Sequence, residues 1–284
     1  MEYNRQYHRS TLIILVLAII VSIVIANSII IISDSHHKLP TALWTMSITA
    51  AVASGLAIIA VCRHGVSGLH GKSYLFLMLG IISWFFADLT LLYYHYALHI
   101  EEQKFVTITD GFWFIGYGFL SLHLFSVLKS LYMSGNKVID RKLVILGSFI
   151  IAIVFVSFNW LALESSEFID AAEHSVDFYS IIATSAYPVL DLTLIIPSII
   201  VLFRLRKNYQ QSIPWFLSSL SLLINSIADD GYLTDFVKGN SQHLIFWDLF
   251  YVADFIIMAG ALLWYNRYHI TLSRRSKKPI KLEP

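Results

Sequence analysis

Long apolar segments alternate with short polar ones along the whole chain. Each apolar segment has about 20 residues or more, which is the length that an α-helix needs to cross a hydrocarbon core of about 30 Å. The apolar positions do not alternate with a period of two, so membrane-spanning strands are not indicated. The pattern predicts an all-α polytopic membrane protein with eight transmembrane helices. They span residues 11–32, 41–62, 74–98, 110–132, 143–163, 178–203, 214–234 and 244–265.

The composition supports the same class. Hydrophobic residues make up 57% of the 284 residues and charged residues only 14%, whereas about a quarter of a soluble domain is charged. The first apolar segment exceeds the roughly 7–15 apolar residues of a signal peptide, so we expect it to be retained as the first helix. Cys62 is the only cysteine, which excludes an internal disulfide. We expect no cofactor and no nucleic-acid partner, because no motif for either is present.

The basic residues lie mainly at one end of the predicted helices. If the N-terminus is cytoplasmic, only three of the 20 Lys and Arg residues lie outside, and these are Lys38, Lys104 and Lys238. Only three of the 19 acidic residues then lie on the cytoplasmic side, and these are Glu2, Asp140 and Glu283. The excess of basic residues in cytoplasmic loops predicts that both termini are inside, in a plasma membrane.

Two similar motifs indicate an internal repeat. The first copy is Ala87-Asp88 followed by Asp110-Gly111-Phe112-Trp113, and the second is Ala228-Asp229 followed by Asp248-Leu249-Phe250-Tyr251. Four predicted helices separate the copies, so the two halves should be parallel and related by an axis along the membrane normal. The predicted organisation is a cytoplasmic tail (1–10), a first four-helix repeat (11–134), a second repeat (135–266) and a basic cytoplasmic tail (267–284).

The second half also resembles a known kind of membrane region. Its motifs are Tyr187-Pro188-x-x-Asp191, Ala228-Asp229-x-x-Tyr232 and Asp248-x-Phe250. In this order they resemble the multi-helix N-terminal membrane region of bacterial diguanylate cyclases and phosphodiesterases. The resemblance implies a sensory or scaffolding input module. Only residues 266–284 follow the last predicted helix, so we expect no cyclase or phosphodiesterase domain here, and no enzymatic residue is carried over.

Polar side chains recur at helical spacing on five predicted helices, and each stripe carries an acid towards its outer half. A lipid-facing aspartate costs about 2.5–3.5 kcal/mol at mid-bilayer, so the stripes should face one another and form an outward-opening acidic vestibule. Asp254 lies roughly 120° from the stripe of Asp248 on a helix of 3.6 residues per turn. The candidate ligand- or ion-binding residues are Asp88, Asp110, Trp113, Tyr117, Tyr187, Asp191, Asn225, Asp229, Asp248, Tyr251 and Asp254.

Several of these residues also have a purely structural interpretation. Asp110 and Asp248 open predicted helices, so both are also expected to cap helix ends. Asp88 and Asp229 have no basic residue at their depth, so they must be protonated, hydrogen-bonded or bound to a cation. His123 lies off the polar stripe of its helix and is expected to be a core histidine. Whether a metal binds near the outer histidines is left open.

Three classes of function fit these features. The first is a non-enzymatic sensor or scaffold whose vestibule binds a cation, a small ligand, a lipid headgroup or protons, and whose basic inner loops contact a cytoplasmic signalling partner. The second is a small cation-coupled transporter, because Asp191 and Asp254 lie near the midplane. The third is an intramembrane lipid hydrolase using Asp88 and His123. An enzyme is the less favoured class. The lipid bilayer is the expected partner, and homo-oligomer formation is left open.

Overall fold

The structure is a computed structural model that describes residues 2–99, 107–133, 147–153, 155–157, 178–205, 209–237 and 241–276. All regular secondary structure in these residues is helical, which confirms the all-α class. The described residues form eight helices. They are α1 (Glu2–Ile32), α2 (Lys38–His64), α3 (Gly68–Ala97), α4 (Ile108–Met133), α5 (Gly147–Ser157), α6 (Phe178–Arg204), α7 (Tyr209–Val237) and α8 (Ser241–Ser276).

Six of these helices are long and apolar enough to cross a membrane. The stretches are Ser10–Ile32, Lys38–His64, Gly68–Ala97, Ile108–Met133, Ala186–Arg204 and Leu244–Arg267. Helix α7 has 29 residues but is not among the six, because polar residues such as Asn225, Asp229 and Asp230 lower its hydropathy. The chain is therefore a membrane-embedded helical protein with several spans, and a topology of eight crossings stays a prediction.

Apart from α5, the helices are longer than the apolar segments that predicted them. Helix α1 begins at Glu2, inside the predicted tail 1–10, and α8 continues to Ser276, inside the predicted tail 267–284. Polar residues end an apolar pattern without breaking a helix, so the predicted bounds are too narrow. The chain does break between α2 and α3, where Gly65 and Gly68 have φ of 71° and 69°. The predicted boundary between the repeats at 134–135 and part of the predicted fifth helix lie outside the described residues.

Six helices form a closed ring in the order α2, α3, α4, α6, α7 and α8, and each packs against its two neighbours. Helix α1 lies outside the ring against α8 and α2. Many outward-facing apolar side chains are exposed, which fits a surface that contacts lipid. We call the end of the bundle where α3 ends and α4 begins the acidic end. The opposite end, where α2 ends and α3 begins, is the basic end.

Small side chains allow α2 to pack closely in this ring. Ala50, Ala53, Ala57 and Ala60 are each at most 1% exposed and belong to the same core cluster as residues of α3 and α8. With little side-chain bulk the backbones approach closely, which is the usual basis of helix association inside membranes. The contact between α2 and α8 is therefore almost wholly apolar. One polar contact is added near the basic end, where Asn266 Nδ2 donates to the carbonyl of Leu56 at 3.2 Å.

The contact between α3 and α4 depends on a glycine in each helix. A Cβ at Gly116 would lie 2.2 Å from Cδ1 of Trp84, and a Cβ at Gly80 would lie 2.5 Å from Cγ of Leu120. Both distances are far shorter than a van der Waals contact. Trp84 is held in place because its indole Nε1 donates to the carbonyl of Trp113 at 3.3 Å. Its ring therefore has little freedom to move away from an added methyl group.

We predict that Gly116→Ala lowers the free energy of unfolding by about 1–3 kcal/mol, because the added methyl group overpacks the contact with Trp84. Gly118→Ala is the matched control, since a Cβ there meets no atom within 4 Å. Alanine also favours a helix over glycine by up to about 1 kcal/mol, so the control should be neutral or stabilising. Thermal unfolding of both variants in detergent measures the difference. Equal unfolding temperatures for the two variants would contradict the packing described here.

Candidate functional site

The carboxyl group of Asp229 joins three helices inside the ring. Its Oδ1 accepts a hydrogen bond from the Tyr251 hydroxyl of α8 at 2.5 Å. Its Oδ2 accepts one from Asn225 Nδ2, one turn earlier on α7, at 2.8 Å, and a second, very short one from the Tyr117 hydroxyl of α4. The Asp229 carboxyl group thus accepts a hydrogen bond from one polar side chain on each of α4, α7 and α8.

The Tyr117 hydroxyl extends this network to a fourth helix. It also lies 2.6 Å from Oδ1 of Asp191 on α6. Tyr117 and Asp191 are each only 1% exposed. The ring of Tyr117 packs edge-on against Trp84 of α3, with ring centroids 5.4 Å apart. Two carboxyl groups from different helices therefore lie on either side of a single buried hydroxyl group.

Asp110 combines the two roles that the sequence left open. Its Oδ2 accepts from the backbone N–H of Thr107 at 2.8 Å, and the Thr107 hydroxyl accepts from the N–H of Thr109 at 3.3 Å. Together these two hydrogen bonds cap the start of α4, with Thr107 at the N-cap position. Its Oδ1 accepts from the Tyr187 hydroxyl of α6 at 2.6 Å. Trp113 packs its ring edge-on against Tyr187, with centroids 6.3 Å apart.

Three further acids lie on α3 and α8. Asp254 is 1% exposed, and its Oδ1 accepts a very short hydrogen bond from Ser221 of α7. Asp88 is 4% exposed, and its Oδ2 has no hydrogen-bond partner. The charge of Asp88 is close enough to interact with those of Asp248 and Asp254. The three carboxyl groups therefore interact electrostatically inside the ring.

The prediction that Asp248 caps a helix is wrong. Helix α8 begins at Ser241, so Asp248 lies two turns inside the helix, where it is 9% exposed. The polar residues before it continue the helix rather than start it. The Asp254 side chain, predicted to be turned away from the stripe of Asp248, is buried against α7. Asp254 can be buried on this side of α8 because α8 has α1, α2 and α7 as neighbours.

All eleven predicted site residues lie inside the acidic half of the ring. We call its six carboxyl groups the acidic cluster, and these belong to Asp88, Asp110, Asp191, Asp229, Asp248 and Asp254. Among the described residues, none of the six forms an ion pair with a basic side chain. Four of them are at most 9% exposed, so this conformation holds them closed within the ring rather than along an open vestibule. The open form of the vestibule stays a prediction.

The basic half of the ring contains polar and aromatic residues that the sequence did not single out together. His123 is fully buried, with Nδ1 2.9 Å from the Ser73 hydroxyl, and its Nε2 has no partner. Nearby, Tyr74 stacks on Tyr265 with centroids 3.7 Å apart, and His70 packs against Trp215 at 5.6 Å. These residues come from four helices and do not form a local motif. Their spacing along the sequence therefore could not predict that they lie close together.

Asp88 and His123 are not neighbours. His123 is bonded to Ser73, and Ser73 lies about 22 Å from Asp88 along α3 at 1.5 Å per residue. These two residues therefore form no direct pair, and the lipid hydrolase stays an untested alternative. Among the described residues, no group of three His, Cys, Asp or Glu side chains is placed to hold a metal ion, so in this closed conformation a cation would have at most two of these carboxyl groups as ligands.

Comparison with known proteins gives no further assignment. No protein-family model matches the chain, and no curated protein or solved structure is significantly similar to it.

We predict that Tyr117→Phe lowers the free energy of unfolding by about 0.5–2 kcal/mol, because Asp191 and Asp229 lose a donor that water cannot replace inside the ring. Tyr93→Phe is the control, since Tyr93 is exposed on the surface of α3. Both variants are compared by thermal unfolding in the same detergent. If the two lose the same stability, the Tyr117 hydroxyl is not a structural centre of the ring.

Proposed function

We propose that this protein is a membrane sensor or scaffold module in which the acidic cluster binds a proton or an inorganic cation. In this proposal the protein crosses the plasma membrane eight times, with both termini and the basic end in the cytoplasm. The acidic end then faces outward. Occupancy of the cluster changes the packing of the ring, and the basic loops pass that change to a cytoplasmic signalling partner.

The observation that carries this proposal is the contact of two carboxyl groups with one hydroxyl group. The Tyr117 hydroxyl has a single hydrogen, and ionised carboxylates only accept hydrogen bonds. It can therefore satisfy Asp191 or Asp229, but not both. The second contact is favourable only if the other carboxyl group carries a proton or if a cation lies beside the pair. The packing of α4, α6 and α7 thus depends on one bound positive charge.

Asp88 supports the same proposal from the opposite side of the ring. Its Oδ2 is buried without a donor, and its neighbours Asp248 and Asp254 are also acids. An unpaired buried carboxylate is strongly unfavourable, so it must be neutralised. Because no basic side chain pairs with these acids in the described part of the chain, a proton or a cation from solution has to do so.

The order of helices in the ring supports the proposed repeat. Helices α3 and α7, which carry the Ala-Asp motifs of Asp88 and Asp229, are opposite one another, as are α4 and α8 and also α2 and α6. A two-fold axis along the membrane normal would exchange these helices. The cluster would then lie at the interface of the two halves, where membrane proteins built from repeats commonly bind their ligands.

Helix α6 is the element best suited to transmit a change. Pro188 and Pro197 lie inside it, and each removes a backbone hydrogen bond that would otherwise stiffen the helix. Asp191 lies between the two prolines and contacts the Tyr117 hydroxyl. The helix ends at Arg204 at the basic end. This arrangement and the resemblance to input regions of signalling enzymes both favour a sensory role over a purely structural one.

Cys62 allows a direct test. It is the only cysteine, it is exposed, and it lies in the last turn of α2 at the basic end. We expect an environment-sensitive fluorophore on Cys62 to change its emission when the protein in detergent is acidified, or when sodium, potassium or calcium is added at constant ionic strength. Asp229→Asn should reduce the change, because an amide needs no added positive charge beside Tyr117.

Asp34→Asn is the matched control, because Asp34 is exposed near the same end of the bundle and outside the ring. It should respond as the wild type does. An unresponsive wild type, or an Asp229→Asn variant that responds like the wild type, would overturn the proposal.

A small cation-coupled transporter is the second candidate, and one observation favours it. Buried polar groups continue from the acidic cluster towards the basic end. Ser121 and Thr193 share a hydrogen bond of 2.6 Å, and Ser198, Ser218 and Ser219 are each at most 1% exposed. The acids lie mostly towards one end, which argued against transport. The buried Ser and Thr side chains, however, would provide polar positions for a cation between the acidic cluster and the basic end.

If the protein transports, proteoliposomes containing it should take up a cation along a gradient, and Asp191→Asn should reduce the initial rate at least about tenfold. Such a loss corresponds to about 1.4 kcal/mol. Asp34→Asn should leave the rate unchanged. Uptake no faster than in empty liposomes, for each cation that changes the Cys62 fluorescence, would favour the sensor over the transporter.

A further inference from the structure

Arg204 is a buried cation that forms no ion pair with an acidic side chain in the part of the chain that the structure describes. It lies in the last turn of α6 at the basic end and is only 3% exposed. The guanidinium carbon lies 3.7 Å from the ring centroid of Tyr132 on α4, which is a cation–π contact. Its Nε has no hydrogen-bond partner. Stacking on Tyr132 occupies the face of the guanidinium group but provides no acceptor for this Nε–H, which points outward in the plane of the group.

A second unpaired donor lies near Arg204, beside an apolar cluster. Leu205, next to it, packs in an apolar cluster with residues of α4 that include Leu131, and Trp215 of α7 packs against the same cluster. The indole Nε1 of Trp215 is buried and also lacks a partner. Arginine and tryptophan side chains only donate hydrogen bonds. Two unpaired donor-only groups near one apolar cluster point to a missing acceptor.

The missing acceptor should carry negative charge. A cation–π contact compensates only a small part of the free energy lost when a charge is buried unpaired. A planar guanidinium matches the oxygen atoms of a phosphate group and can bind two of them at once. The end of a membrane-crossing helix lies at the depth of the lipid headgroups, where phosphate is abundant.

We propose that Arg204, together with Tyr132 and Trp215, binds the phosphate group of a membrane phospholipid at the basic end. Tyr132 is 46% exposed, so the site opens towards the membrane along α4. Lys129 is exposed one turn earlier on α4, on the same side as Tyr132, and contributes a second positive charge at the rim. The site is separate from the acidic cluster and does not depend on the proposed sensor function.

The test uses the full-length protein purified in detergent. Native mass spectrometry should detect one retained or added phosphatidylglycerol, and thermal unfolding should shift upward with this lipid. Diacylglycerol with the same acyl chains, which lacks the phosphate, should have no such effect. Arg204→Gln should weaken the apparent affinity for phosphatidylglycerol about tenfold or more, which is the loss expected for one charge-assisted hydrogen bond.

Two further variants separate binding from folding. Arg204→Lys keeps the charge but not the planar fork, so it should fold and recover part of the affinity. Lys129→Gln should weaken binding less than Arg204→Gln, because Lys129 is at the exposed rim. An equal shift with diacylglycerol, or an Arg204→Gln variant that is less stable but still stabilised by phosphatidylglycerol to the wild-type extent, would overturn the proposal. An Arg204-dependent shift with inorganic phosphate alone would overturn the lipid as its source.

Discussion

The hydrogen bonds of the Asp229 carboxyl group are the interaction on which the ring depends. Inside a membrane no water can replace a lost donor, so a buried carboxyl group fixes the helices that carry its partners. Asp229 takes its donors from α4, α7 and α8, and Tyr117 connects the same group to Asp191 on α6. Single hydrogen bonds between membrane helices are weak, about 0.6 kcal/mol on average. They matter here because several of them meet at the same carboxyl groups. A change at one of these groups therefore alters the contacts of four helices together.

The contact between α4 and α6 and the contact between α2 and α8 lie on opposite sides of the ring and differ in polarity. Between α4 and α6, polar contacts occur along the whole length, and in order from the acidic end they are Asp110 with Tyr187, Tyr117 with Asp191, Ser121 with Thr193 and Tyr132 with Arg204. Between α2 and α8 the contact is formed mostly by alanines and apolar side chains. Apolar surfaces of small residues can slide with little penalty, whereas a set of hydrogen bonds has discrete arrangements. A change in charge at the acidic cluster should therefore act first on α4 and α6.

The sequence predicted the side of each helix that faces the ring better than it predicted the contacts. The cost of exposing an aspartate to lipid was enough to place Asp88, Asp191 and Asp229 in the interior. It could not predict that Asp191 and Asp229 share Tyr117, because that depends on the rotation and crossing of α4, α6 and α7. Asp248 was misplaced as a cap because helix α8 continues through polar residues before it. Arg204 gave no signal, since an arginine at the end of an apolar segment ordinarily reaches the membrane surface.

The closed state of the acidic cluster has a consequence for how it could exchange a ligand. Asp191 and Asp254 are each 1% exposed, so a hydrated cation cannot reach them without a movement of the ring. Asp110 and Asp229 are less buried, and Asp110 is held by Tyr187 of α6. Release of that single hydrogen bond would loosen α6 in its acidic half, next to Pro188, where the helix already lacks a backbone hydrogen bond. If the acidic cluster binds a ligand as proposed, entry from the acidic end would require the helix that bears Asp191 to move, and binding and the change in ring packing would then be one event rather than two.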